Sequence, residues 1–559
     1  MKYVKPSRSC GKVFYFYPMK FTIILLLPLV FSCQNNSSAT NSTQASRDSM
    51  LHKSSPADSI PSQEPAGNFS AQTEMRFDSS AIPAFLNQYP LFKKYQDDFT
   101  RFYSSRKYSY AWHLADGHPI EQSSILYNRV FSIDENGLPK NIPYPDAYTK
   151  LMEEVIPDSM LIRELMITGQ YLAFADKVLV GIPESDTRSL NWYIPRKKIE
   201  YSSLLDSLLS GKRPEPDKYI FPQYTLLRDK LKAYNDIEKK GTWIALKADR
   251  KKYELGDSSP VIRQIRLKLF YAGDIASNNE SPVFDQVLFE GIKEFQRRFG
   301  LKQDGVAGPG VLKEMSAPLS KRMEQIMVNM ERCRWLPNET SSKYLAVNIP
   351  QFQLLAFRGN SVDWTCNVVV GSTTNKTVIF KGDMKYVVFS PYWNVPQSII
   401  NKEILPAMKR NKNYLEKHDM EWNNGKVRQK PGPRNSLGLV KFLFPNSFNI
   451  YLHDTPSKSL FKEDKRAFSH GCIRVSEPRK LAAFLLEDYP EWNPSKINEA
   501  MNSGKEQYVT LKETVPVYIV YLTAFVDSRG KLNFREDIYH RDNLLKDMIF
   551  AKNGSKSAQ

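Results

Sequence analysis

The sequence predicts a multidomain α+β protein: a mostly helical N-terminal scaffold with a three-helix module, then a mainly β sandwich that carries a helical insertion. Its 559 residues exceed what one hydrophobic core usually supports, so several domains are expected. Up to about residue 340, apolar side chains recur at helical spacing. Beyond that point, short β-rich segments alternate with turn residues, a pattern that favours strands.

The chain is strongly basic, with 78 Lys and Arg against 60 Asp and Glu and a net charge of +18. Such a charge suits nucleic acid, anionic lipid headgroups or an acidic polymer. The basic residues are spread along the chain, and no nucleic-acid-binding motif accompanies them. We therefore expect no nucleic-acid partner.

Residues 1–33 have the pattern of an export signal. A positively charged stretch precedes an apolar run, Phe21 to Phe31, that is short for a membrane span, and Cys33 follows it. This pattern resembles a bacterial lipoprotein signal, which implies that Cys33 becomes the lipidated first residue. We then expect a membrane-anchored lipoprotein on the periplasmic side of the envelope. An ordinary secretory signal, releasing the protein into the periplasm, or a signal anchor is the alternative.

Residues 34–75 are polar and rich in Ser, Asn and Pro, so they predict a flexible tether. Residues 76–256 follow as the helical scaffold domain, with Phe92, Tyr95 and Phe99 among its helically spaced apolar residues.

A compact unit is predicted at residues 257–316. Two amphipathic helices are followed by a stretch from Phe295 to Gly308 that ends the second helix at a glycine and begins a third. This stretch resembles the hallmark of the three-helix peptidoglycan-binding domain, which implies glycan strands as a partner. A helical spacer that does not bind glycan is the alternative. A connecting helix is predicted at 317–342.

The β-rich part covers residues 343–545, and a short tail, 546–559, follows it. A basic insertion at 396–434, predicted to be helical, interrupts it with nine Lys or Arg against four Asp or Glu. The predicted strands are Tyr344–Asn348, Gln353–Phe357, Asp363–Val370, Tyr386–Ser390, Leu439–Phe444, Ile450–His453, Val515–Val526 and Leu532–Phe534.

Three of the few His and Cys residues gather in the β-rich part. His453 is followed by His470, Gly471 and Cys472 within twenty positions, although the chain has only seven His and five Cys. A thiol becomes a good nucleophile when an imidazole takes its proton, and backbone N–H groups beside it can hold an oxyanion. A cysteine acyltransferase is predicted. The alternatives are a structural Cys with two hydrogen-bonded His, or three zinc ligands, for which conventional spacing and a fourth ligand are lacking.

His453, fifteen further residues and then Ser469-His470-Gly471-Cys472-Ile473-Arg474 match the signature of the L,D-transpeptidase family with its YkuD-type catalytic domain. Segments around it, such as Trp393-Asn394-Val395-Pro396, are similar to the large, YcbB-like branch.

The resemblance implies that Cys472 attacks a donor stem peptide, expels D-alanine and forms a thioester, which an amine of a second stem resolves to a 3→3 cross-link. It also implies His453 as proton donor and acceptor. His470 would order the site or act as a secondary base, since the sequence does not rank the two imidazoles. Backbone N–H groups of Gly471 and Cys472 are candidates for the oxyanion hole. No cofactor and no metal are expected, and carbapenems should acylate the thiol.

Candidate substrate-binding residues flank the motif, and for several of them packing is the alternative role. The candidate substrate-binding residues are Ser469, Arg474, Tyr451, Trp393 and Arg466.

The insertion 396–434 is interpreted as a lid over the stem-peptide groove, or else as a solvated charged face.

Other functions fit the same motif. Water instead of an amine would give an L,D-carboxypeptidase or endopeptidase, and a Lys amine would attach a lipoprotein to the wall. A catalytically inactive wall-binding lipoprotein is a further alternative, against which the intact motif argues. After Cys33 the chain keeps an odd number of thiols, of which Cys333 and Cys366 either pair or remain as two buried thiols.

Overall fold

The computed structural model describes residues 74–153, 159–209, 219–241, 243–338 and 341–551. The predicted signal with Cys33, most of the tether and the end of the tail lie outside the described residues. The predicted fold class is confirmed: a helical N-terminal part is followed by a β-rich part.

Among the described residues of the scaffold, eight α-helices are present. Helix α5 (Met160–Ala175) lies at its centre, with most of its residues buried. Within the described part of the chain, the helical stretch 160–190 is long and apolar enough to cross a membrane, but 67% of its apolar window is buried, as in a core helix. The other helices are α1 (Ala81–Gln88), α2 (Gln96–Ser105), α3 (Glu121–Phe131), α4 (Pro145–Glu153), α6 (Glu184–Thr187), α7 (Tyr201–Leu209) and α8 (Gln223–Lys239).

The predicted three-helix unit consists of α9 (Pro260–Tyr271), α10 (Gln286–Arg298) and α11 (Pro309–Ser316). The side chains of Ser259 and Asp285 cap the first two helices by accepting backbone N–H groups, which replaces hydrogen bonds that a helix start lacks. The apolar faces of the helices share a core of their own, separate from the main core.

Helix α12 (Leu319–Trp335) connects this unit to the sheet and carries a buried ion pair between two of its own residues. Glu331 and Arg334 lie 2.7 Å apart, and both side chains are fully buried. Glu331 also accepts the Ile182 N–H at 2.6 Å and the Trp335 indole N–H at 3.0 Å. Because its remaining acceptor sites are used, the buried carboxylate is fully partnered.

One nine-stranded sheet dominates the β-rich part, in the order β10-β3-β11-β9-β8-β4-β12-β1-β2. Strand β2 also pairs with β3, so the sheet closes on itself. Its strands are β1 (Lys343–Asn348), β2 (Gln353–Arg358), β3 (Ser361–Gly371), β4 (Phe380–Phe389), β8 (Val440–Leu443), β9 (Leu452–His453), β10 (Ala467–Ser469), β11 (Ile473–Val475) and β12 (Gln507–Val520).

The remaining elements surround this sheet. Strands β13 (Ala524–Val526) and β14 (Leu532–Phe534) form a hairpin, so the strand predicted over Val515–Val526 is wrong in being continuous. The helices are α16 (Pro478–Leu485), α17 (Pro494–Asn502) and α18 (Asp542–Phe550). Cys333 and Cys366 are free and buried, so they do not pair.

The insertion at 396–434 is only partly helical, which corrects the prediction. Short helices α13 (Gln397–Ile399), α14 (Leu405–Arg410) and α15 (Tyr414–Lys417) are followed by a hairpin of β6 (Met420–Asn423) and β7 (Lys426–Gln429). Strand β7 also pairs with β5 (Trp393–Asn394), at the entry to the insertion. Val395, Ile400, Ile404 and Val427 form a small core that belongs to the insertion alone.

Replacing Glu331 by Ala should lower the free energy of unfolding by about 3–5 kcal/mol, because Arg334 would stay buried without its partner. Thermal and denaturant unfolding of both proteins would measure this. Glu324→Ala on the same helix is the control, since its ion pair with Lys546 is partly exposed to solvent and should be worth less than about 1 kcal/mol. Equal losses in the two variants would contradict a structural role for the buried pair.

Candidate active site

The two halves of the motif meet on neighbouring parallel strands. Strand β11 pairs with β9, and Arg474 lies opposite His453. The Ile473 N–H donates to the Tyr451 carbonyl at 3.1 Å, so the pairing continues towards Cys472. Because side chains alternate along a strand, Cys472 and Arg474 share a sheet face with Tyr451 and His453. The structure therefore brings these four predicted residues together.

The chain reverses at Gly471, immediately before the thiol. Gly471 has φ +118°, a conformation that favours glycine because it has no Cβ. The Ser469 hydroxyl accepts the Gly471 N–H at 3.1 Å and donates to the Cys472 carbonyl at 2.5 Å. Ser469 thus closes the turn.

This contact corrects one prediction about the oxyanion hole. The Gly471 N–H is already engaged by Ser469, so it is not available to a ligand as the turn stands. The Cys472 N–H has no acceptor within the described part of the chain, and it remains the backbone donor beside the thiol.

The Cys472 thiol is enclosed by the 445–451 segment. It donates weakly to the Asn449 carbonyl at 3.5 Å. Burial raises the pKa of the thiol above its ordinary value, although hydrogen bonds from the Tyr451 backbone and hydroxyl and the charge of Arg474 lower it. Trp393 interacts with the Tyr451 hydroxyl and opposes the burial that raises its pKa, so the two predicted cleft aromatics are neighbours.

His453 is buried, and its tautomer is set by the backbone. Its Nδ1 lies 2.5 Å from the Asp454 carbonyl, which can only accept, so Nδ1 carries the proton and Nε2 is left as the base. Burial, reinforced by the charge of Arg474, lowers the pKa of His453 to about 4. The imidazole is therefore neutral at physiological pH and ready to accept a proton.

Two arginines that the sequence placed together have different surroundings. Arg474 is half-buried beside the Cys and His side chains, and its Nε has no partner among the residues described. Arg466 instead donates to the Glu463 carbonyl at 2.6 Å and contacts the Phe352 carbonyl and Asn367. These contacts tie Arg466 to the neighbouring loops, and its role as a substrate ligand stays a prediction.

His470 points to the insertion. Its side chain is exposed, and Nε2 lies 3.1 Å from Glu403 Oε1. This contact joins the motif to the insertion and leaves His453 as the buried imidazole. Across the described ranges, no three His, Cys, Asp or Glu side chains come together as metal ligands.

Sequence reasoning missed the loop that faces the thiol. Asn446 holds this loop, since its side chain bonds the Ile450 carbonyl at 2.8 Å and accepts the Phe448 N–H at 3.0 Å. Tyr193 of the scaffold packs on Phe448, with ring centroids 4.9 Å apart. Pro445-Asn446 is a turn signal that could have located the bend, but the sequence gives no sign of the scaffold contact.

The structure defines a β-rich domain whose sheet places a cysteine and a histidine on one face, and family models match this domain and two other parts of the chain. "L,D-transpeptidase catalytic domain" (YkuD) matches residues 342–518, "Putative peptidoglycan binding domain" matches 258–315, and "Scaffold domain" matches 97–231. The chain thus carries a YkuD-type L,D-transpeptidase catalytic domain together with a peptidoglycan-binding domain, and the resemblance stated from the motif is confirmed.

A Haemophilus influenzae protein named "Putative L,D-transpeptidase" is 31% identical over 252 residues, which are 41% of this chain and 50% of the relative. The chain thus matches half of that relative's length.

Solved L,D-transpeptidases also match part of the chain. One from Xylanimonas cellulosilytica is 14% identical, and the match covers 49% of this chain and 100% of the solved chain with a TM-score of 0.18. One from Stackebrandtia nassauensis is 14% identical, and the match covers 49% of this chain and 97% of the solved chain with a TM-score of 0.22.

The alkylation rate of Cys472 by iodoacetamide should rise steadily between about pH 6 and 9 without a plateau, because the thiolate is the nucleophile and burial raises the pKa of this thiol. Intact-mass spectrometry at each pH would follow the adduct, with Cys472→Ala as the control for other sites. A plateau already at neutral pH would show a preformed thiolate-imidazolium pair and contradict this electrostatic description.

Proposed function

We propose that the protein is a peptidoglycan L,D-transpeptidase that forms 3→3 cross-links through a Cys472 thioester. The observation that carries this proposal is the neutral imidazole of His453, fixed with Nδ1 on the Asp454 carbonyl, on the same sheet face as the thiol. That arrangement is what a general base needs in order to activate a thiol nucleophile.

In the first half-reaction, His453 Nε2 accepts the thiol proton as sulfur attacks the carbonyl carbon of the donor stem peptide. The Cys472 N–H stabilises the oxyanion that forms. The C–N bond to D-alanine then breaks, and the imidazolium returns the proton to the leaving amine. A thioester remains on Cys472.

The second half-reaction repeats these steps in reverse. The side-chain amine of an acceptor stem attacks the thioester carbonyl while His453 takes its proton, and the thiolate leaves and is reprotonated. One amide has been exchanged for another, so neither ATP nor an external reductant or oxidant is required. Water in place of the amine would instead give trimmed stems.

Residues around the thiol supply the binding surface in this proposal. Arg474 offers a guanidinium to a stem-peptide carboxylate, and Trp393 and Tyr451 form the aromatic wall. The insertion 396–434 covers the groove as a lid, held to the motif by Glu403 and His470. The domain at 258–315 binds glycan strands, and lipidated Cys33 anchors the protein on the periplasmic side.

The test is incubation of the purified protein with a disaccharide-tetrapeptide from the cell wall, analysed by mass spectrometry. The expected product is a dimer lighter than two substrates by one D-alanine. Cys472→Ala should give no product, whereas Cys366→Ala, which removes a buried thiol elsewhere, should stay active. Tripeptide alone would refute cross-linking in favour of trimming, and activity in Cys472→Ala would refute the nucleophile.

His453→Ala should reduce turnover by roughly 10²–10⁴-fold, the usual loss for a missing general base. His470→Ala should reduce it far less, because His470 is exposed and paired with Glu403. Turnover of the same tetrapeptide fragment, together with the melting temperature of each variant, would compare the two. A larger loss for His470→Ala would exchange the roles assigned to these imidazoles.

A further inference from the structure

A buried threonine outside the motif holds the turn that carries the nucleophile. Thr377 lies between β3 and β4 and is completely buried. Its hydroxyl donates to the Gly471 carbonyl at 2.9 Å and accepts the Gly371 N–H at 2.9 Å. The hydroxyl donates its proton to one group and accepts from another, and these two bonds fix its orientation.

Thr377 is itself held by the C-terminal segment. The Tyr539 hydroxyl accepts the Thr377 N–H at 3.2 Å and donates to the Gly371 carbonyl at 2.6 Å. The Asn375 backbone lies too close to Gly371 for any side chain at that position, since a Cβ on Gly371 would lie 2.1 Å from the Asn375 carbonyl oxygen. Tyr539 lies beyond the match to the catalytic-domain family, which ends at residue 518.

The geometry of the peptide bond connects this contact to the chemistry. A trans peptide is planar, and its C=O and N–H point in opposite directions. A hydrogen bond that holds the Gly471 carbonyl on Thr377 therefore also fixes the direction of the Cys472 N–H. The Cys472 N–H is therefore directed away from Thr377. It has no acceptor within the described residues, so it is free to bind a ligand.

We propose that Thr377, supported by Tyr539, is a positioning residue that aims the Cys472 N–H at the oxyanion of the acyl-transfer step. Thr377 touches no substrate and acts through the peptide unit between Gly471 and Cys472. The inference deepens the proposed function and rests on it for the natural acyl donor, but it requires only acyl transfer to Cys472.

The test compares two reactions of the same thiol. Acylation by 4-nitrophenyl acetate passes through an oxyanion, whereas alkylation by iodoacetamide does not. Both are followed by intact-mass spectrometry on the full chain, with Cys472→Ala to subtract other sites. Thr377→Val should slow acylation about 10–100-fold, below the full loss of an oxyanion donor, because the N–H is displaced and not removed. Its alkylation rate should be unchanged, and Thr377→Ser, which keeps the hydroxyl, should restore acylation.

Tyr539→Phe is the second variant, in case Thr377→Val does not fold. It should slow acylation less than Thr377→Val while leaving alkylation unchanged, since Thr377 would keep its bond to Gly471. Equal slowing of both reactions, or unchanged acylation in folded variants, would overturn the proposal. Absence of ester acylation at Cys472 in the wild type would overturn it as well. If 4-nitrophenyl acetate acylates the wild type but the wild type does not turn over the tetrapeptide, only the proposed function is refuted.

Discussion

The site depends on the peptide unit between Gly471 and Cys472, because one hydroxyl holds this unit directly and another holds the peptide groups on either side of it. The Ser469 hydroxyl accepts the Gly471 N–H and donates to the Cys472 carbonyl. The Thr377 hydroxyl donates to the Gly471 carbonyl. The sheet brings these groups together: β3 pairs in parallel with β10 before the turn and antiparallel with β11 after it. The nucleophile therefore sits where the chain reverses along one strand.

Burial then determines how the thiol can react. Desolvation raises the pKa of Cys472 and lowers the pKa of His453, so both groups are neutral in the resting site. A low dielectric disfavours a standing ion pair unless its charges are well partnered. In the proposed reaction, proton transfer to Nε2 accompanies attack on a carbonyl, and the charge of Arg474, which lowers the pKa of the thiol, favours negative charge on sulfur. The resting thiol therefore reacts slowly with small electrophiles near neutral pH, where little of it is thiolate.

The sequence predicted those parts of the site that local spacing encodes. The motif predicted that His453 and Cys472 share a site with Tyr451, but strands β10 and β11, which place them there, were not among the predicted strands. The engaged Gly471 N–H and the role of Thr377 could not be predicted, since both depend on contacts between distant segments. The hairpin in the insertion was predictable but missed. Asn424-Gly425, both at positive φ (49° and 74°), is a hairpin-turn signal between β6 and β7 that the helical interpretation passed over.

The site also depends on residues outside the catalytic-domain match. Helix α12 contacts the C-terminal segment through Arg332 and Asp542, 2.7 Å apart, and the Tyr521 hydroxyl donates to Asp537 at 2.6 Å while accepting the Tyr539 N–H. Tyr539 in turn holds the Gly371 and Thr377 backbone groups that face the nucleophile turn. Because each contact is polar and mostly buried, losing one leaves unpaired polar groups, which destabilise the neighbouring contact in the network. The connecting helix and the C-terminal segment are therefore structural components of the active site, and the catalytic domain is larger than its motif.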